Sequence, residues 1–202
     1  MAAEHTPRGD ILDRSCPNIL LHRLGGDDIR HAINIEKFGH LVREQLGQNM
    51  DQGCEQLGRQ GARGALFKMT LASHGYTFVG KGTVPVFVRD LKHEGRIYQK
   101  LERVQGVSVP VYLGNIDLIH RYFYDVGVRI VHMLLMSWAG EVAEDGDTAD
   151  LKGEVQRSVQ YLCNERLIHN DVRQPNILWN LERRRAILVD FERAEVLDDR
   201  KR

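Results

Sequence analysis

The stretch that decides the reading of this chain is Leu167-Ile168-His169-Asn170-Asp171-Val172-Arg173-Gln174-Pro175-Asn176-Ile177-Leu178-Trp179, followed by Ala186-Ile187-Leu188-Val189-Asp190-Phe191-Glu192. It reads as a loop bearing an acid, then a hairpin, then a second acid. Pro175 forbids the preceding helix from continuing. The two apolar runs around the charged turn Asn180 to Arg185 are short strands. A tight hairpin puts Asn176, where the first strand begins, beside Asp190, where the second ends, so that both can reach one cation. Two acids and an amide at this spacing make a candidate site for a divalent cation and a reacting hydroxyl. Magnesium takes oxygen ligands of this kind and keeps waters and phosphate oxygens in its other positions.

Composition narrows what surrounds this loop. The chain has 202 residues, 42% of them apolar, enough for one domain or two small lobes with a real core. Its formal net charge is zero, so no overall field favours nucleic acid as a partner. Cys16, Cys54 and Cys163 are widely spaced and form no C-x-x-C, which excludes a disulfide framework or zinc knuckle and suits a reducing compartment. The N-terminus lacks the apolar core of a signal peptide. The longest apolar run, Val126 to Trp138, is broken by Arg129 and His132 and is too short to span a bilayer. The expectation is a soluble, cytoplasmic or otherwise intracellular protein with no membrane partner.

Upstream, Asp27 to Leu46 carries apolar residues at loose helical spacing, with Gly47 to end the turn, and is expected to form one exposed helix. A glycine-rich stretch from Gly53 to Gly64 leads into Ala65 to Leu71, a Ser-His-Gly turn, and Tyr76 to Val79, which reads as a β-hairpin entered through a glycine loop. Gly58, Gly61 and Gly64 could offer backbone N–H groups to a triphosphate, and would serve equally as a flexible linker. Lys81 closes the second strand. Asp90 reads as an N-cap, with Leu91, Glu94, Tyr98 and Leu101 recurring at helical steps toward a stop at Gly106. Glu94 thus shares the apolar face, where an unpaired carboxylate is costly, and Lys81 is its natural partner. His93-Glu94 opens an H-E-x-x-H pattern, but Ile97 occupies the second His position and a zinc-protease reading fails. Val107 to Leu113 and Val128 to Trp138 read as an antiparallel pair. Met133 to Met136 would line an adenine slot or a plain core strand. Glu141 to Asp150 reads as an acidic linker, and Leu151, Val155, Val159 and Leu162 as a helix delivering the chain to His169.

With these residues in order, His169-Asn170-Asp171 followed by Asn176 resembles the H-R-D-x-x-x-x-N loop of protein kinases, and Asp190-Phe191-Glu192 resembles their D-F-G. The texture of Lys81-Gly82-Thr83, His93-Glu94 and Asp190 to Ala194 resembles divergent fungal kinase-like proteins. The resemblance implies an α+β, two-lobed protein kinase-like fold, with an antiparallel N-lobe sheet and an incomplete, mostly helical C-lobe. The expected organisation is an extension over residues 1–52, an N-lobe and hinge over 53–140, and a partial, truncated C-lobe over 141–202. It implies ATP and Mg2+ as cofactors: Gly58, Gly61, Gly64, Lys81 and Met136 on the nucleotide, Glu94 bracing Lys81, Asn176 and Asp190 on magnesium. Asp171 would orient the hydroxyl of an unknown protein or small-molecule acceptor, with Arg173 on the γ-phosphate. The alternatives are a pseudokinase or nucleotide-binding scaffold without turnover, and an α+β interaction domain with fortuitous motifs.

Overall fold

The computed structural model describes residues 31–61, 63–125, 128–143 and 150–197. They fall into two compact units: the described residues up to Gly95 together with Tyr112–Trp138, and Arg96–Val111 together with the described residues from Ala139 onward. The class is mixed α+β, with three α-helices among the described residues.

The first unit is built on an antiparallel sheet ordered β1-β2-β3-β5-β4, comprising β1 (Cys54–Gly61), β2 (Gly64–Leu71), β3 (Tyr76–Thr83), β4 (Tyr112–Asp125) and β5 (Val128–Ser137). Central β5 is buried through Met133, Leu134 and Leu135, each fully inaccessible, so it reads as a continuous apolar run instead of an alternation. Helix α1 (Ile35–Gln48) lies against this sheet through Phe38, Val42 and Leu46. The ring of Phe38 stands edge-on to Phe78, with centroids 5.0 Å apart.

Several sequence expectations are corrected here. The first helix is not a mainly exposed one, because its Phe38–Val42–Leu46 stripe is core. Its N-cap is Asn34, whose side chain accepts from the Lys37 amide, and Gly47 lies inside the helix. Asp27 to Arg30 lie outside the described residues. The glycine-rich segment is not an entry loop but strand β1, paired with β2 and bulged between Gln56 and Gln60. Gly58 takes φ +62° at that bulge, while Gly61 and Gly64 face each other at the hairpin's end. A Cβ on Gly64 would collide with the Gly82 carbonyl of β3, which gives this glycine a packing reason. The strand expected over Val107 to Leu113 starts later, at Tyr112, because the short 3-10 turn Glu102–Val104 and Gly106 at φ +70° intervene.

Helix α2 (Val88–Lys100) begins before Asp90, which lies in its first turn and is not the cap; the 3-10 turn Pro85–Phe87 precedes it. Its buried stripe is Leu91, Glu94, Ile97, Tyr98, and Leu101 just beyond.

The second unit contains α3 (Leu151–Asn164) and two small sheets: β6 (Glu141–Val142), β8 (Ile177–Asn180) and β9 (Arg185–Leu188) in the order β6-β8-β9, and β7 (Leu167–Ile168) with β10 (Glu195–Val196). The expectation of a mostly helical C-terminal part is therefore corrected: among the described residues one α-helix is matched by five short strands. Glu141–Val142 is likewise not linker but an edge strand on β8, and residues 144–149 lie outside the described residues. α3 buries Glu154, Ser158 and Leu162, and the Ser158 hydroxyl donates to the Ala186 carbonyl at 2.6 Å, tying helix to hairpin. No helix among the described residues is long and apolar enough to cross a membrane.

Candidate functional site

In the first unit, Lys81 lies on β3 between Leu66 and Leu134 in register. Its Nζ donates to Glu94 Oε2 at 2.7 Å, with the Glu94 side chain fully buried and Lys81 20% exposed. The helical period dictates this pairing. It places Glu94 on the stripe that faces inward, and burial of a carboxylate demands a hydrogen-bonded cation. Gly95 lets α2 approach closely, since a Cβ there would meet the Asn115 side chain at 2.7 Å. Met136 is buried and pairs with Val79 and Tyr112.

In the second unit, the loop after β7 is held by polar contacts across the hairpin. His169 is buried, its Nε2 bonds the Val189 carbonyl at 3.0 Å, and its ring packs 4.6 Å from that of Phe191. Burial pushes its pKa below the ordinary value, so the imidazole is neutral and the Nε2–H is the donor. Phe191 is fully buried and also meets Tyr98 edge-on at 5.1 Å. Asn170 takes φ +60° and its Nδ2 donates to the Arg193 carbonyl at 3.1 Å.

Asp171, Asn176 and Asp190 are brought together by that framework. Asn176 is buried, its backbone carbonyl accepts from the Val189 amide at 3.0 Å, and Asp190 is the next residue. The Asn176 Nδ2 donates at 3.0 Å to both the Asp171 carbonyl and Asp171 Oδ2. With the amide nitrogen committed to Asp171, the amide oxygen is the atom left to offer a cation, and oxygen is what a hard divalent ion takes. Asp190 sits half-buried at φ +69°, a left-handed conformation costly for a residue with a Cβ. Such outliers concentrate where a side chain must be aimed. Among the described residues no three or more His, Cys, Asp or Glu side chains gather at one point. Asn176 and Asp190 lie where the two strands of the β8–β9 hairpin meet, their oxygens being of the type a hard cation takes.

Two arginines flank Asp171. Arg173 donates through Nε to Oδ2 at 3.1 Å, and Arg193 Nη1 lies 3.8 Å from Oδ1. Sequence reasoning singled out Arg173 but missed Arg193. Its only sequence signal is its place just after Asp190-Phe191-Glu192. The hairpin tip is exposed at Arg183 and Arg184, and Arg183 Nη1 donates to the Gly106 carbonyl at 2.6 Å.

These elements define a mixed α+β chain with a buried lysine–glutamate pair in one unit and an acid–amide–acid loop in the other. Over 194 residues it is 43% identical to a protein named meiotic driver SPOK2, from the fungus Podospora anserina. That match takes in 94% of this chain but only 24% of the relative, so the chain spans about a quarter of the length of the curated protein it matches. No protein-family model matches the chain. These findings correct the assignment to the protein kinase-like superfamily and its divergent fungal members: the motif resemblance is matched by no family model, and the similarity found is to a meiotic driver. Short motifs of this sort recur on local physical grounds, so their order alone does not define descent.

Proposed function

We propose that the chain binds ATP with magnesium and transfers the γ-phosphoryl group to a hydroxyl, on a protein in preference to a small molecule. The observation that carries this reading is the Asn176 amide clamped on Asp171 while its backbone is bonded to Val189, beside the strained Asp190. The two-lobed arrangement expected from the sequence belongs to the same proposal.

Each residue then has a physical task. Lys81 neutralises charge on the α and β phosphates, and Glu94 prevents the ammonium from swinging to solvent. The Asn176 amide oxygen and the Asp190 carboxylate would hold magnesium, which supplies charge neutralisation along the triphosphate. Asp171 orients the acceptor hydroxyl and takes its proton as the oxygen attacks. Arg173 lies close enough to Asp171 to shift onto the transferring group and neutralise its charge. The hairpin glycines Gly58, Gly61 and Gly64 and the strand residue Met136 complete the proposed nucleotide surface.

The test is equilibrium binding of labelled ATP with and without magnesium, together with phosphoryl transfer. Magnesium-dependent binding that is lost in Asp190→Asn supports the reading. ATP binding indifferent to Asp190→Asn would sink it. A second reading is a nucleotide-binding scaffold without turnover, favoured by the engagement of the Asp171 carboxylate with Arg173. It is selected if the wild type binds magnesium and ATP, transfers nothing, and keeps its binding in Asp171→Ala. The relative's name, a meiotic driver, is compatible with either reading and specifies neither.

A further inference from the structure

We infer that the acceptor is an acidic peptide segment, a serine or threonine hydroxyl with carboxylates beside it, and that Arg193 reads that charge. The inference rests on the phosphotransferase reading of Asp171. Its observations lie within the second unit.

The segment after Asp190 turns back at once along the Asp171 loop. Glu195 pairs with Ile168 and Val196 with Leu167, and the Leu197 amide donates to the Arg166 carbonyl at 2.8 Å. Midway, the Asn170 side chain holds the Arg193 carbonyl. The position of Arg193 is therefore set by main-chain bonds that do not depend on its side chain. Its guanidinium comes to 3.8 Å from Asp171 Oδ1, beyond hydrogen-bond reach, while Arg173 bonds the other oxygen.

Asp171 thus stands between two cations. Arg173 has a task in the transfer itself, but Arg193 has none: it neither bonds Asp171 tightly nor belongs to the oxygen pair for magnesium. A guanidinium held beside the acceptor-orienting acid attracts an anionic neighbour of the hydroxyl and repels a cationic one. Both arginine side chains are largely exposed, 61% and 70%, which leaves their charge accessible to an extended segment. Glu192 and Glu195 in the same segment work against the bias, so the charge of Arg193 itself must be isolated experimentally.

The experiment uses the full chain with Mg-ATP and three serine peptides flanked by Glu, Ala or Lys, comparing wild type with Arg193→Ala, Arg193→Lys and Arg193→Glu. Exposed pairs of this kind are individually weak, so the Glu-flanked peptide is expected to exceed the Lys-flanked one by roughly fivefold in kcat/KM. The preference should survive in Arg193→Lys, shrink in Arg193→Ala and invert in Arg193→Glu, with ATP binding unchanged throughout. Equal use of the three peptides, or an acidic preference that persists in Arg193→Glu, overturns the inference while transfer itself upholds the underlying function. Glycerol phosphate accepted as well as the acidic peptide overturns the peptide assignment. If nothing is phosphorylated, anisotropy of the labelled peptides decides. Selective binding of the acidic peptide that Arg193→Glu abolishes keeps the charge reading by Arg193 and removes the phosphotransferase, and with it the peptide's role as acceptor; no selective binding removes all three.

Discussion

The two units hold their chemistry-bearing residues in opposite ways. Lys81 and Glu94 project from a strand and a helix, and Glu94 is wholly enclosed. Asp171 and Asp190 sit on irregular backbone, beside or at the positive φ of Asn170 and Asp190, and Asn176 ends the 3-10 turn Gln174–Asn176, bonded to Asp171 within the loop and to Val189 across the hairpin. An ion pair whose carboxylate is enclosed between regular elements is bound into the stability of its unit, because removing the cation leaves that carboxylate away from water. A polar set on turns can be altered with little loss of core. Stability and function should therefore be inseparable in the first unit and separable in the second.

The largest effect should come from Lys81→Met, which removes the ammonium 2.7 Å from an enclosed carboxylate. A loss of about 3–5 kcal/mol is expected in urea unfolding. A loss under about 1 kcal/mol would break the comparison, since it would mean that the pair is not bound into the stability of its unit. Next is Asn176→Ala, which deletes two hydrogen bonds to Asp171 from a buried position and should cost about 1–2 kcal/mol by the same measurement. A cost as large as that of Lys81→Met would erase the distinction between the units.

Asp190→Gly should act in the opposite direction. Glycine adopts φ +69° without the Cβ penalty, so the unit should gain about 1 kcal/mol while magnesium-dependent ATP binding disappears. Thermal melts with and without Mg-ATP would check both halves, and joint loss of stability and binding would contradict separability.

The smallest expected effect compares one histidine from each unit. His132 donates from Nδ1 to Asp117 at 2.6 Å, yet burial outweighs that bond and lowers its pKa; His169 is lowered by burial as well. Asp117 is lowered in turn, chiefly by the same hydrogen bond. Both imidazoles titrate below the ordinary value of 6.5 when folded, so the unfolded chain binds more protons below that pH. Their contribution is complete above 6.5 and declines as the pH falls through it toward the folded values. Urea midpoints from pH 7.5 to 5 should drop for the wild type, and less steeply for His132→Asn and His169→Asn separately. An unchanged slope in either variant would show that its histidine is not held neutral.

How far the sequence could be read depended on whether a local period carried the signal. The pairing of Lys81 with Glu94 was legible because helical spacing assigned Glu94 to the buried stripe. The nearness of Asn176 to Asp190 was legible because a short hairpin brings the ends of its two strands together, as the Asn176–Val189 bond shows. Strand β1 was not legible. Its sequence, CEQLGRQG, has no alternation of apolar and polar residues, and it is a strand only because β2 offers it a paired edge. The Phe38–Val42–Leu46 face of α1 was only partly read, since burial there is set by the sheet it meets. Arg193 was invisible as a neighbour of Asp171, because that proximity needs the β7–β10 pairing to fold its segment back.

By itself the sequence determined the mixed α+β class, the helix that buries Glu94, and the acid–amide–acid order around a hairpin, all consequences of spacings within one element or one turn. Tertiary structure alone decided that a glycine-rich run is a sheet edge and that Arg193 joins Arg173 beside Asp171. Those contacts join residues whose separation along the chain carries no period, so only the closing of the fold brings them within reach of one another.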